Sequence, residues 1–215
     1  MSTTTKENIM SECKLKPINN QVIKFTVKSI APMVQHAWSE KAKEQIRLKK
    51  AGKKTKDREP VDPMSECEEA TYTSKDGLYC IPLKGFKSAI ISAAHKDLGI
   101  EKTLVKKSFF IPGVDFERRA ENGPVILIEC EPPVMREDYV RVGMSGTDLR
   151  YRPQFDAWTA EITAEFDADN LTPSDILTLV DRAGYGVGIG EMRPEKGGDL
   201  GRFQVDRSKD IEITK

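Results

Sequence analysis

Residues 184–205 read GYGVGIGEMRPEKGGDLGRFQV. Glycine stands at 184, 186, 188 and 190 and again at 197, 198 and 201, with Glu191, Arg193, Glu195 and Lys196 between the two clusters. Glycine is selected where φ is positive or where another backbone approaches closely. Clustered glycines flanked by cations can present N–H groups and side chains to an anion. A helix-like segment, Thr172 to Ala183, precedes the stretch, and a short strand-like run, Leu200 to Val205, ends it. This order excludes two familiar motifs. A P-loop needs G-x-x-x-x-G-K-[ST] between a strand and a helix, and the dinucleotide fingerprint also runs strand first, helix second. A long, tight connection between helix and strand remains the plain alternative.

Outward from this loop the periodicities are clear. From Asp156 to Phe166, Trp158, Ala160, Ile162, Ala164 and Phe166 alternate with Thr159, Glu161, Thr163 and Glu165, which predicts a half-buried strand. The helix before the loop has Thr172 and Asp175 spaced as a capping box and Pro173 at its first position. Its stripe is Ile176, Leu177, Val180 and Ala183, and Gly184 is expected as the residue that ends it. Gln21 to Ile30 alternates as a strand. Lys84 to Leu98 reads as a helix with Phe86, Ala89, Ile90, Ala93, Ala94 and Leu98 on one face. Val125 to Cys130 is a continuous apolar run, expected as a buried central strand. Tyr139 to Val142 reads as a further strand, Ser145 to Arg152 as a turn-rich loop, and Lys102 to Ile111 fits helix or strand.

The major elements then run β-α-β-β-α-β, an α+β fold of the ferredoxin-like or RRM-like kind with an antiparallel sheet. Residues 1–19 are expected to be a flexible N-terminus, and 20–215 a single domain with two insertions, 33–76 (basic and helical) and 131–155 (loop or hairpin). Within the first insertion Ser39 to Gly52 reads as a helix, and the cations Lys49, Lys50, Lys53 and Lys54 continue to Lys56 and Arg58. That run is either a solvated face or an electrostatic footprint for phosphates.

The 215 residues balance 34 Lys and Arg against 34 Asp and Glu, so no wholesale attraction to a polyanion is expected, only local patches. No apolar run approaches the roughly 20 residues of a membrane span, and the N-terminus lacks an apolar signal core. A soluble, cytoplasmic protein is expected. Cys13, Cys67, Cys80 and Cys130 form no C-x-x-C pair, and His36 and His95 are scattered, so neither a metal nor another cofactor is expected.

Two stretches resemble one family. LYCIPLKGFKSAI, from Leu78 to Ile90, is similar to the I-P-G-S-S-[LI]-K-G segment of the CRISPR RAMP superfamily: Ile81-Pro82 matches, Lys84 and Lys87 are basic, and Leu83 and Phe86 depart from the pattern. GIGEMRPEKGGDLGRFQV resembles that superfamily's C-terminal glycine-rich loop, entering the last strand at Gly201-Arg202-Phe203. The same stretch is similar to small proteins of tailed phages. The resemblance implies RNA binding, assembly along a strand or with other subunits in a ribonucleoprotein and, for some members, endoribonuclease activity.

Three readings follow. The first is a non-catalytic binder of single-stranded nucleic acid, RNA before DNA. Its contacts are expected from Lys49, Lys50, Lys53, Lys54, Lys84, Lys87, Arg150, Arg152, Arg193 and Lys196. Gly188 and Gly190, with Gly197 and Gly201, are expected to set the backbone of the loop. Tyr151 beside Arg150 and Arg152 suits stacking on unpaired bases. Glu161 and Glu165 on the polar face of the best strand oppose an RNA platform on the sheet, so the strand is expected to cross loops and helix ends. The second reading is a metal-independent endoribonuclease with His36 as general base, near Lys41 or Tyr79. The third is a protein-interaction role, as in a phage factor that blocks a host complex.

Overall fold

The structure, a computed structural model, describes residues 17–53, 62–113, 123–142 and 146–215. Its first half contains β1 (Asn20–Ser29), β2 (Met33–Val34), α1 (Glu40–Lys50), α2 (Pro63–Glu69), β3 (Cys80–Pro82), α3 (Leu83–Asp97), α4 (Lys102–Ser108) and β4 (Phe109–Phe110). The second half contains β5 (Val125–Leu127), β6 (Glu129–Cys130), β7 (Val134–Val142), β8 (Gly146–Phe155), β9 (Trp158–Asp167), α5 (Pro173–Arg182), β10 (Phe203–Val205) and β11 (Glu212–Thr214).

The fold is α+β with antiparallel sheets. The main sheet runs β10-β1-β9-β4. Its spine is β1, which pairs with β9 from Asn20↔Asp167 to Lys28↔Thr159. On its other side β1 pairs with β10 at Val27↔Val205 and with β11 at Val22↔Thr214. Alternation decides the faces. Ile23, Phe25 and Val27 of β1 and the even-numbered positions 158–166 of β9 are buried beneath α3 and α5. Phe203 of β10 joins the layers: its ring stacks on Phe86 of α3 at 5.2 Å and lies 6.0 Å from Trp158.

On the opposite face two lysines are paired with carboxylates. Lys24 Nζ lies 3.0 Å from Glu161. Lys28 Nζ donates to Asp206 at 2.8 Å. That hydrogen bond, with those from Ser208, holds the Asp206 carboxyl down at about 2.

The structure corrects three expectations. Val125 to Cys130 is not one central strand. It divides at Ile128, whose N–H turns to the Tyr79 carbonyl at 3.0 Å. Val125–Leu127 therefore pairs with β3 outside the main sheet, and Glu129–Cys130 pairs with the start of β9. Ser145 to Arg152 is not a turn-rich loop, for from Gly146 on it is β8, paired with β7 from Val142↔Gly146 to Val134↔Gln154. Finally, Gly184 does not end the helix. After α5 a π-helical turn, Ala183–Val187, carries the chain on to Gly188. The capping box at Thr172 and Asp175 forms as expected. Lys102 to Ile111 divides into helix α4 and strand β4.

Gly184 is required for another reason. A Cβ there would lie 1.9 Å from the Phe203 carbonyl oxygen, so only glycine lets the π turn rest on the last core strand. Gly201 is more constrained. Its φ is +67° and a Cβ would lie 1.8 Å from the Ile189 carbonyl oxygen. Its N–H donates to Pro32 O at 2.7 Å and its carbonyl accepts from Ile189 N–H at 2.9 Å. The glycine-rich stretch is thus laced into the fold, with Val187 and Ile189 each 5 % exposed.

Gly197 gives an internal control, since its φ is +82° but nothing lies within 4 Å of a Cβ. Gly197→Ala should cost only the left-handed strain of about 1–2 kcal/mol. Gly201→Ala adds a backbone collision and should cost more than about 3 kcal/mol or prevent folding. Urea midpoints of the two variants test this; equal midpoints would show that the loop yields at Gly201.

Candidate functional site

The laced loop forms one wall of a cleft of about 520 Å³. The second wall is the start of α3, and the third is β2 and the residues after it. Each wall has a local cause. Pro82 fixes an extended residue before α3, which begins without any side-chain cap hydrogen bond. Gly85, in the first turn, lines the cleft, with nothing within 4 Å of where a Cβ would stand. Val34 holds the loop through its carbonyl, which accepts from Glu191 N–H at 2.9 Å. Gln35 is buried and fixed at both ends: its Nε2 donates to Cys80 O at 2.9 Å and its Oε1 accepts from Tyr72 N–H at 2.8 Å.

Both sequence stretches that carry the family resemblance meet here, as Ile81, Pro82 and Lys84 on one side and Gly188, Ile189, Gly190, Glu191 and Arg193 on the other. Lys84 is exposed at the rim. Arg193 is held there, its Nη1 donating to Gly190 O at 3.0 Å and its Nη2 lying 3.3 Å from Glu195. Glu195 also accepts from Ser92 of α3 at 3.1 Å, tying the loop to the helix. Lys196 is exposed on the 3-10 turn Pro194–Lys196 that follows. The loop amides of residues 188, 189, 191, 196, 197, 198, 200 and 201 donate to backbone carbonyls, so they brace the loop itself.

His36 lines the cleft as well. Burial, then the Arg150 charge, moves its pKa below the ordinary 6.5, so the ring is uncharged at neutral pH. Its Nδ1 is buried without a hydrogen-bond partner among the described residues. Neither partner expected for His36 lines the cleft: the Tyr79 ring packs edge-on against Phe155 at 5.4 Å, and Lys41 is an exposed residue of α1. Tyr72 and Glu191 line it instead. Both escaped the sequence reading of the site. Glu191 lies between the two glycine clusters with no motif to give it a role, and Tyr72 belongs to no motif.

The remaining expected contacts disperse. Arg152 is 3 % exposed and is held by Asp138 at 3.0 Å and Glu191 at 3.7 Å, so its charge is committed inside the fold. Arg150 lies 3.6 Å from Asp148. Strand alternation sends Tyr151 to the opposite face of the β7–β8 hairpin from both arginines, so the expected stacking group is split. Lys87 is half-buried with its ammonium 4.6 Å from the centre of the Phe110 ring, and burial lowers its pKa. Lys49 and Lys50 end α1, and Lys53 follows it; all three are exposed and none lines the cleft. Lys54 lies outside the described residues. Cys67, Cys80 and Cys130 are free thiols. Among the described residues no group of three or more His, Cys, Asp or Glu is placed to hold a metal ion, and no helix is long and apolar enough to cross a membrane.

No protein-family model and no curated protein matches the chain. Among solved structures it is similar to a chain of the cryo-EM structure of the Type III-B Cmr-beta bound to cognate target RNA, with 11% identity over 100% of this chain and 68% of that one, TM-score 0.44. It is also similar to Cmr6 from Pyrococcus furiosus, with 12% identity over 88% of this chain and 100% of that one, TM-score 0.40.

The environment of His36 has a consequence for stability. Its pKa is lower in the fold than in the unfolded chain, so protonation favours unfolding. Above about pH 7.5 both states are neutral there and the group contributes no pH dependence. As pH falls below that value the unfolded chain takes up the proton first and stability declines. His36→Gln should flatten this decline between about pH 7.5 and 5.5, read as the urea midpoint of variant against parent. An unchanged slope would show that His36 titrates normally.

Proposed function

We infer that the chain is a non-catalytic binder of single-stranded RNA, acting as a subunit of a ribonucleoprotein, with the strand crossing the mouth of the cleft. One observation carries this reading: the two stretches that resemble the RAMP superfamily, far apart in sequence, line the same cleft and set Lys84 and Arg193 at its rim. The start of α3 adds the positive end of a 15-residue helix, which favours phosphate. The pairing of Lys24 and Lys28 on the other sheet face with Glu161 and Asp206 supports the cleft over that face. RNA is preferred to DNA on the resemblance alone. A second reading, endoribonuclease, is favoured by an uncharged His36 in the same cleft, a form able to accept a proton at neutral pH. Cleavage of labelled RNA in the presence of a chelator, lost in His36→Ala, would identify it.

Mobility shifts with single-stranded RNA and DNA at two salt concentrations test the first reading. Lys84→Ala, Arg193→Ala and Lys196→Ala should each weaken binding up to about tenfold, across sequences. Each should reduce the salt slope by about 0.7. Lys24→Ala, on the sheet face, should leave both unchanged. Equal losses from Lys24→Ala would move the strand to the sheet, and no RNA binding at low salt would end the reading.

A further inference from the structure

Rim cations account for a phosphate backbone, yet the cleft behind them is larger and chemically different. Its volume, about 520 Å³, lies within the roughly 300–1,000 Å³ of small-molecule sites. Its floor is apolar: Met33, Ile81, Phe86, Ala89, Val187 and Ile189. Above that floor are an uncharged imidazole, His36, and a carboxylate, Glu191. The Glu191 side chain is 45% exposed and its ion pair with Arg152 is a long 3.7 Å, so its oxygens keep acceptor capacity. Lys84 and Arg193 lie on the same walls. The ligand that matches is amphoteric. It has an anionic group for the two cations, a flat uncharged body for the apolar floor and the His36 ring, and paired N–H donors for a carboxylate.

An unpaired nucleotide has these parts, and the carboxylate discriminates among bases. Guanine offers a ring N–H and an exocyclic amino group side by side, which meet the two oxygens of one carboxylate. Cytosine and adenine offer only the amino group. Uracil flanks its single N–H with two carbonyl oxygens that a carboxylate repels. Unstacked bases of single-stranded RNA are read on this edge.

We propose that the cleft receives one unstacked nucleotide, guanine in preference to the others, with its phosphate at Lys84 and Arg193 and its base edge on Glu191. This deepens the strand-binding reading, but its test stands apart from it. Calorimetric or NMR titration of the full chain with GMP, CMP, AMP, UMP and ribose 5-phosphate should give GMP the highest affinity and UMP the lowest nucleotide affinity. Glu191→Gln should remove most of the guanine preference, about tenfold, and leave UMP nearly unchanged. Gly85→Leu, at a helical position with open space around it, should fill the cleft and weaken all four nucleotides without loss of folding. Ribose 5-phosphate binding as tightly as GMP, equal affinities for the four bases, or no binding would each overturn the proposal. RNA binding unaffected by Gly85→Leu would also overturn it while leaving the rim reading intact. Nucleotide binding in a chain that ignores RNA would do the reverse.

Discussion

The structure depends on a close approach of backbones. Ile189 and Gly201 lie against each other, and the Gly201 N–H reaches Pro32 O. Gly184 rests on the Phe203 carbonyl in the same way. A side chain at either glycine would push the loop away from the last core strand. With the loop seated, Phe203 stays between Phe86 and Trp158, β2 stays at the loop through Val34 and Glu191, and three distant segments become the walls of one cleft. The hydrophobic effect supplies the driving force for the layers but no direction. The direction comes from these contacts, where only one placement satisfies the donors and avoids collision.

The same lacing divides the charges. A neutral chain has many ways to distribute its cations, and most of those described are engaged by nearby carboxylates or lie away from the cleft. Arg152 is buried between two acids, and Lys28 holds Asp206. At the cleft the balance differs. Lys84 on α3 and Arg193, Glu191 and Glu195 on the loop line it beside apolar residues, with Arg193 paired to Glu195, and His36 stays uncharged because burial outweighs its acidic neighbour. Such a site suits a ligand with both acidic and hydrogen-bond-donating parts better than a bare polyanion.

Strand and helix identities were legible because they follow from local periodicity. The β9 alternation and the α5 cap hold residue by residue. Misreadings arose where a local pattern had two outcomes. Apolar continuity in Val125 to Cys130 describes a buried segment but does not say which partner each half takes. Polar, glycine-bearing residues 145–152 resemble a turn until β7 supplies a ladder. Arg150, Tyr151 and Arg152 are adjacent in sequence, and the two-residue period of a strand separates them.

Sequence by itself determined the α+β class, the capping box that starts α5, the buried faces of β1 and β9 and the importance of the glycine-rich stretch, since these depend on residue type and spacing along one segment. Only the tertiary structure decided that the stretch is a braced wall, that Arg152 is a buried strut, and that Tyr72 and Glu191 share a cleft with His36. Those facts depend on contacts between residues dozens to more than a hundred positions apart. Distance along the chain says nothing about such contacts until the backbone of the loop has found the last strand.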